Sequence, residues 1–179
     1  MICLDEFGPI EVRPYHGRAW RSVGHAARIR ATYRRTHGVR HYLAAYDIRD
    51  DRLTMRCYKR KRWRELLLFL KHIRRRYPRR IRIYLILDNF SPHKRKEIRD
   101  WAAANKVMLV FTPTYASWLN RIEATFSGVR YFALSNSDYR DHDESRRAIL
   151  SYVAWRNRNR HAASVKRREN HKMSFATGQ

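Results

Sequence analysis

Asp88 follows the run Arg80-Ile-Arg-Ile-Tyr-Leu-Ile-Leu87, whose β-branched, aromatic and aliphatic residues read as a central strand covered on both faces. Asp88-Asn89 and Pro92 then stop it. Ligands of open α/β sheets bind at the carboxyl ends of the strands, where Asp88 falls. An Asx turn or a helix cap uses the same residue type, so position alone leaves the role open. Glu123 lies beside Leu119, Ile122 and Phe126 on an apolar helical stretch. A glutamate in such company is almost never fully buried unless it is paired or bound to a metal. Met1-Ile-Cys-Leu4 is a third apolar run that ends in acid, Asp5-Glu6. Three separate elements thus deliver carboxylates to positions suited to a site.

The elements that must carry them follow from periodicity and breakers. A strand over 2–6 is turned by Phe7-Gly8-Pro9 into Ile10–Arg13, and residues 14–36, rich in arginine, read as an irregular connection. Residues 39–47 and 53–58 form a hairpin about a polar turn. Asp47 at that turn is the rival to Asp5, but its neighbours Asp50 and Asp51 favour turn chemistry. Trp63, Leu66, Leu67, Leu70, Ile73 and Tyr77 mark an amphipathic helix ending before Pro78, with Lys71, Arg74, Arg75 and Arg76 on its polar face, solvated or tracking phosphates. A helix over 94–104, a strand over 106–111 and the helix bearing Glu123, entered or capped by Asn120, come next. A last helix starts near Asp141, where Asp141 and Glu144 have capping-box spacing. Periodicity fades from 156, and the chain divides into one domain over 1–159 and a basic tail over 160–179.

Composition narrows the partner. Forty Lys plus Arg against 16 Asp plus Glu give a net charge of +24, which favours a polyanion, nucleic acid first. An apolar content of 44%, with 5 Trp, 11 Tyr and 7 Phe, excludes a merely solvated basic tail. Cys3 and Cys57 have neither zinc-ligand nor disulfide-framework spacing and read as reduced core residues. No apolar run approaches the ~18 residues of a membrane span, and no signal pattern opens the chain, so a cytoplasmic, nucleoid-associated protein is expected.

Asp5, Asp88 and Glu123, with 34 residues between the last two, resemble the DDE catalytic triad of mariner-related transposases, most nearly the bacterial insertion-sequence transposases of that superfamily. The matching segments are Leu4-Asp5-Glu6-Phe7-Gly8-Pro9, Leu85-Ile-Leu-Asp88-Asn89 with His93-Lys94, and Thr112-Pro113 through Ser117-Trp118-Leu119-Asn120 to Ile122-Glu123. The resemblance implies an α/β, ribonuclease-H-like domain, a mixed five-stranded sheet flanked by helices. In that fold Asp5 lies on the first strand, Asp88 at the end of the fourth and Glu123 on the helix after the fifth. It also implies cleavage of DNA at element ends and strand transfer to target DNA, and it leaves room for a homodimer.

Three carboxylates brought together repel unless cations compensate them, and hard oxygen ligands suit Mg²⁺ or Mn²⁺ rather than zinc. A site of two ions is expected, Asp88 bridging and Asp5 and Glu123 holding one each. Asn89, His93, Ser117 and Asn120 are supporting candidates, with turn and helix-start roles as the alternative for the first two; Glu6 reads as a surface acid or a support to the site. Asp5 lies four residues from Met1 with no helix-turn-helix region ahead of it, so a split or degraded transposase is an open alternative. A catalytically silent, basic DNA-binding remnant and a stand-alone ribonuclease-H-like nuclease are the two others.

Overall fold

The computed structural model describes residues 1–17, 37–114 and 119–162 of the chain. The strands are β1 (Ile2–Glu11), β2 (Val39–Asp47), β3 (Arg52–Tyr58), β4 (Ile83–Leu87) and β5 (Val107–Phe111), and the helices are α1 (Trp63–Arg74), α2 (Lys96–Ala104), α3 (Ile122–Val129) and α4 (His142–Arg158). They build one five-stranded sheet in the order β3-β2-β1-β4-β5. The first three strands are antiparallel, whereas β1–β4 and β4–β5 pair in parallel, as their helical crossovers require.

Each face of the sheet has its own apolar layer. Leu66, Phe69, Leu70 and Ile73 of α1, with Ile98 and Ala102 of α2, bury against Leu4, Leu43, Leu85 and Leu87. Ile122, Phe126 and Val129 of α3, with Ile149, Tyr152 and Val153 of α4, bury against Cys3, Phe7, Tyr42 and Met55. A fully buried side chain such as Phe69 contributes about 2–3 kcal/mol by leaving water. The entry to α4 is the expected cap, with Asp141 Oδ1 accepting the Glu144 N–H at 2.7 Å.

Several expectations are corrected. The chain does not turn at Phe7-Gly8-Pro9: β1 continues to Glu11 through a register shift between Phe7 and Ile10. Gly8 permits this with φ +135°, and a Cβ there would lie 3.1 Å from Arg40 O. Strand β4 is not covered on both faces, since Tyr84 is 43% exposed and its β5 partner Met108 equally so. Helix α1 stops at Arg74, short of Tyr77. Arg74 itself is not on a solvated face; it is buried under five backbone carbonyls.

Arg156, taken as the start of an aperiodic basic stretch, lies within α4 and is fully buried, its Nη2 2.5 Å from Asp51 Oδ1. Beside it, Asn157 Nδ2 donates to Leu53 O at 2.7 Å and Asn157 Oδ1 accepts from Leu53 N at 2.9 Å, so a side-chain amide closes the outer edge of β3. No helix of the described residues is long and apolar enough to cross a membrane. Most of the irregular connection over 14–36 and of the basic tail falls outside the described residues.

Candidate active site

Strand alternation decides which way the acids of β1 face. Leu4 packs with α1 and α2 while Cys3 and Phe7 pack with α3 and α4, so Asp5 projects to the α3 side and Glu6 to the α1 side. The parallel register pairs Ile2 with Leu85 and Cys3 with Ile86. Carried forward, the same offset sets Asp5 level with Asp88 on adjoining strands, which run about 4.8 Å apart.

Glu123 arrives from the other layer. It occupies the first turn of α3, where its N–H donates to Asn120 O at 3.1 Å. Asn120 is buried and donates from Nδ2 to Leu4 O at 2.8 Å. The start of α3 is therefore tied to the main chain directly before Asp5. This is a firmer role than the cap expected of Asn120.

The electrostatics register the convergence. Burial, above all, pushes the Asp5 carboxyl up to about 7, and the charges of Glu6, Asp88 and Glu123 push the same way. The Glu6 N–H, donating to Asp5 Oδ1 at 2.7 Å, offsets only part of this. Two of these neighbouring acids, Asp88 and Glu6, have resident cations. His93, in a 3₁₀ turn over Ser91–Lys94, has Nδ1 2.8 Å from Asp88 Oδ1 and Nε2 3.2 Å from Glu6 Oε1. Burial would lower its pKa, but these carboxylates outweigh burial and hold it at about 9, an imidazolium at neutral pH. The same contact keeps Asp88 below the usual carboxylate range. Lys61 adds a second positive charge, with Nζ 3.6 Å from Glu6 Oε2 and 4.5 Å above the Phe90 ring centroid.

The supporting candidates separate. His93 binds two acids rather than merely starting a helix. Glu6, read as a surface acid or a support, has a side chain only 14% exposed and pairs with both His93 and Lys61. The one signal for this was its place beside Asp5. Asn89 donates to Thr112 O at 2.7 Å and joins the ends of β4 and β5. Ser117 lies outside the described residues. Asp47 stands at the far end of β2, paired with Ile2, and accepts from Arg49 N at 3.0 Å and from the Tyr77 hydroxyl at 2.5 Å. That is turn chemistry.

The donor chemistry suits a hard divalent cation, since the charges of Glu6, Asp88 and Glu123 all act on Asp5 while His93 and Lys61 compensate only Glu6 and Asp88. Among the described residues no three His, Cys, Asp or Glu side chains close into an ion cage. An ion held here would keep several water ligands, as Mg²⁺ does.

A family model described as DDE superfamily endonuclease matches residues 1–146. This chain belongs to the DDE superfamily endonuclease family. Over 55 residues the DDE chain is 36% identical to the insertion element IS630 uncharacterized 39 kDa protein of Shigella sonnei, covering 30% of this chain and 16% of that one. The Mos1 strand transfer complex is similar with a TM-score of 0.67 at 13% identity, over 95% of this chain and 51% of that chain. The Mos1 mariner paired end complex with Mn has a TM-score of 0.64 at 14% identity, over 99% and 56%. At such identities the likeness shows the fold, the ribonuclease-H-like sheet and helices expected from the sequence. The DDE chain spans about half the length of these solved structures.

Proposed function

We propose that the chain is the catalytic domain of a DNA transposase that cleaves phosphodiesters at element ends and joins the freed 3′ ends to target DNA. The observation that carries this is the β1–β4 register that sets Asp5 level with Asp88, with the Glu123 helix tied to Leu4 O through Asn120; burial and the charges of Glu6, Asp88 and Glu123 raise the Asp5 carboxyl accordingly. Asp5, Asp88 and Glu123 would hold the divalent ions, Mg²⁺ or Mn²⁺. Bound there, such ions supply Lewis acidity toward the scissile phosphate and lower the pKa of an attacking water or 3′-hydroxyl.

The chain's own part is positioning and charge. Asn120 fixes the Glu123 helix against β1, and His93 orients Asp88 through Oδ1, leaving Oδ2 for the site. Lys61 offsets Glu6 on the α1 side, and His93 offsets both Glu6 and Asp88. The net charge of +24 draws the DNA backbone in. Two copies acting on two ends form part of the proposal, supported by the paired-end assemblies of the similar Mos1 structures.

The test is nicking and strand joining on labelled DNA carrying candidate ends with Mg²⁺ or Mn²⁺, comparing the native chain with Glu123→Gln. Metal-dependent activity lost in the variant supports the proposal. Salt-sensitive DNA binding with no activity in either protein would replace it with the silent binding remnant.

A further inference from the structure

At the opposite end of β4 from Asp88, one buried arginine builds a second site. Arg74 Nε donates to Asn105 O at 2.9 Å, Nη1 to Tyr77 O at 3.1 Å, and Nη2 to Pro78 O, Arg79 O and Ile81 O at 3.2, 3.0 and 3.2 Å. The chain after α1 thus wraps the guanidinium with its carbonyls inward, which turns the side chains of Arg79 and Arg80 outward, where both are exposed. They line an open pocket of about 770 Å³ with Lys71, Arg75, Lys106 and the half-buried Trp101. No acid lines it, and none of these five cations has an ion-pair partner among the described residues.

We infer that this pocket binds the phosphate backbone of duplex DNA at a distance from the scissile phosphate. Five unpaired cations held close together repel one another, so the arrangement favours a ligand with several closely spaced negative charges. A single cradled phosphate is disfavoured: α1 and α2 both end beside the pocket, and helix C-termini carry partial negative charge. Side-chain cations must then do the binding, as in contacts along a nucleic-acid backbone. The span from Ile81 along β4 to Asp88 is roughly 23 Å at ~3.3 Å per residue, about seven base pairs of duplex. The DNA held here is therefore flanking or target duplex rather than the reacting step.

This rests on the reading of the chain as a DNA-processing domain. The test measures binding of a 30-base-pair duplex by anisotropy over a salt series for the native chain, Arg79→Ala/Arg80→Ala, Arg79→Lys/Arg80→Lys, and Arg147→Ala/Arg158→Ala on the exposed side of α4. The alanine pair in the pocket should flatten the slope of log K against log salt by about 2 and weaken binding on the order of ten-fold, while the lysine pair restores both. An unchanged slope for the pocket pair, or an equal loss from the α4 pair, overturns the pocket while leaving the DNA-processing reading intact. Failure of the native chain to bind duplex in a salt-dependent way overturns both.

Discussion

The two ends of β4 meet the same difficulty, charge withdrawn from water, in opposite ways. At the Arg74 end one buried cation is saturated by main-chain carbonyls, and the surplus positive charge is left outside. At the Asp88 end half-buried acids are only partly compensated: His93 and Lys61 serve Glu6 and Asp88, and Asp5 is left with a carboxyl raised to about 7. A charge satisfied from within the fold is structural; a charge left short is waiting for something from outside it. By that criterion Arg74 belongs to the scaffold, and Asp5 to the proposed chemistry.

The largest effect is expected at the acids. Asp88→Asn should cut metal-dependent nicking by about a thousand-fold or more, several kcal/mol of lost transition-state stabilisation, while salt-dependent DNA binding persists. Retained nicking would return Asp88 to a turn residue. The next largest effect is expected at Arg74. Arg74→Ala removes the buried guanidinium that five carbonyls share and should cost about 3 kcal/mol or more in urea unfolding; a cost under ~1 kcal/mol would mean that water replaces the guanidinium without loss.

Asp5 sharpens the contrast through pH. Its folded pKa is raised, so the stability it contributes is present below its ordinary value of 3.8 and lost as pH rises through about 7. In metal-free protein Asp5→Asn should therefore be neutral near pH 3 and stabilising above pH 8, by at most about 4 kcal/mol, and Mg²⁺ should shrink that gain. A gain independent of pH would show that the strain on Asp5 is not electrostatic. The smallest expected effect is at Asn120: Asn120→Ala should cost about 1–2 kcal/mol of stability by freeing Leu4 O, with a fall in kcat exceeding any change in KM.

The strand and helix order was legible because it is local: period-two and period-3.6 apolar runs, Asp141 before Glu144, and breakers between them. Each of the three acids stood out locally, but their grouping rested on the resemblance, since nothing local shows that Asp5 and Glu123 approach the same strand end. What escaped the sequence depends on partners far along the chain. Arg156 looks like the start of a basic tail until Asp51, 105 residues earlier, is placed against it. Arg74 looks like one of four solvated cations until the chain after it curls back. Glu6 looks like an exposed acid until His93 and Lys61 close on it. At Gly8-Pro9 the breaker was read as a turn, whereas β2 simply accommodates a bulge.

The amide of Asn157 has a consequence for assembly. By occupying both the N–H and the C=O of Leu53, it removes one docking point for an incoming strand along β3, and buried Arg156 braces the adjoining turn. Strand β5, at the other margin, has no further strand beside it among the described residues. A strand added at β3 would have to forgo the Leu53 pair of hydrogen bonds or displace the Asn157 amide, so this margin is a poorer template than its length alone suggests.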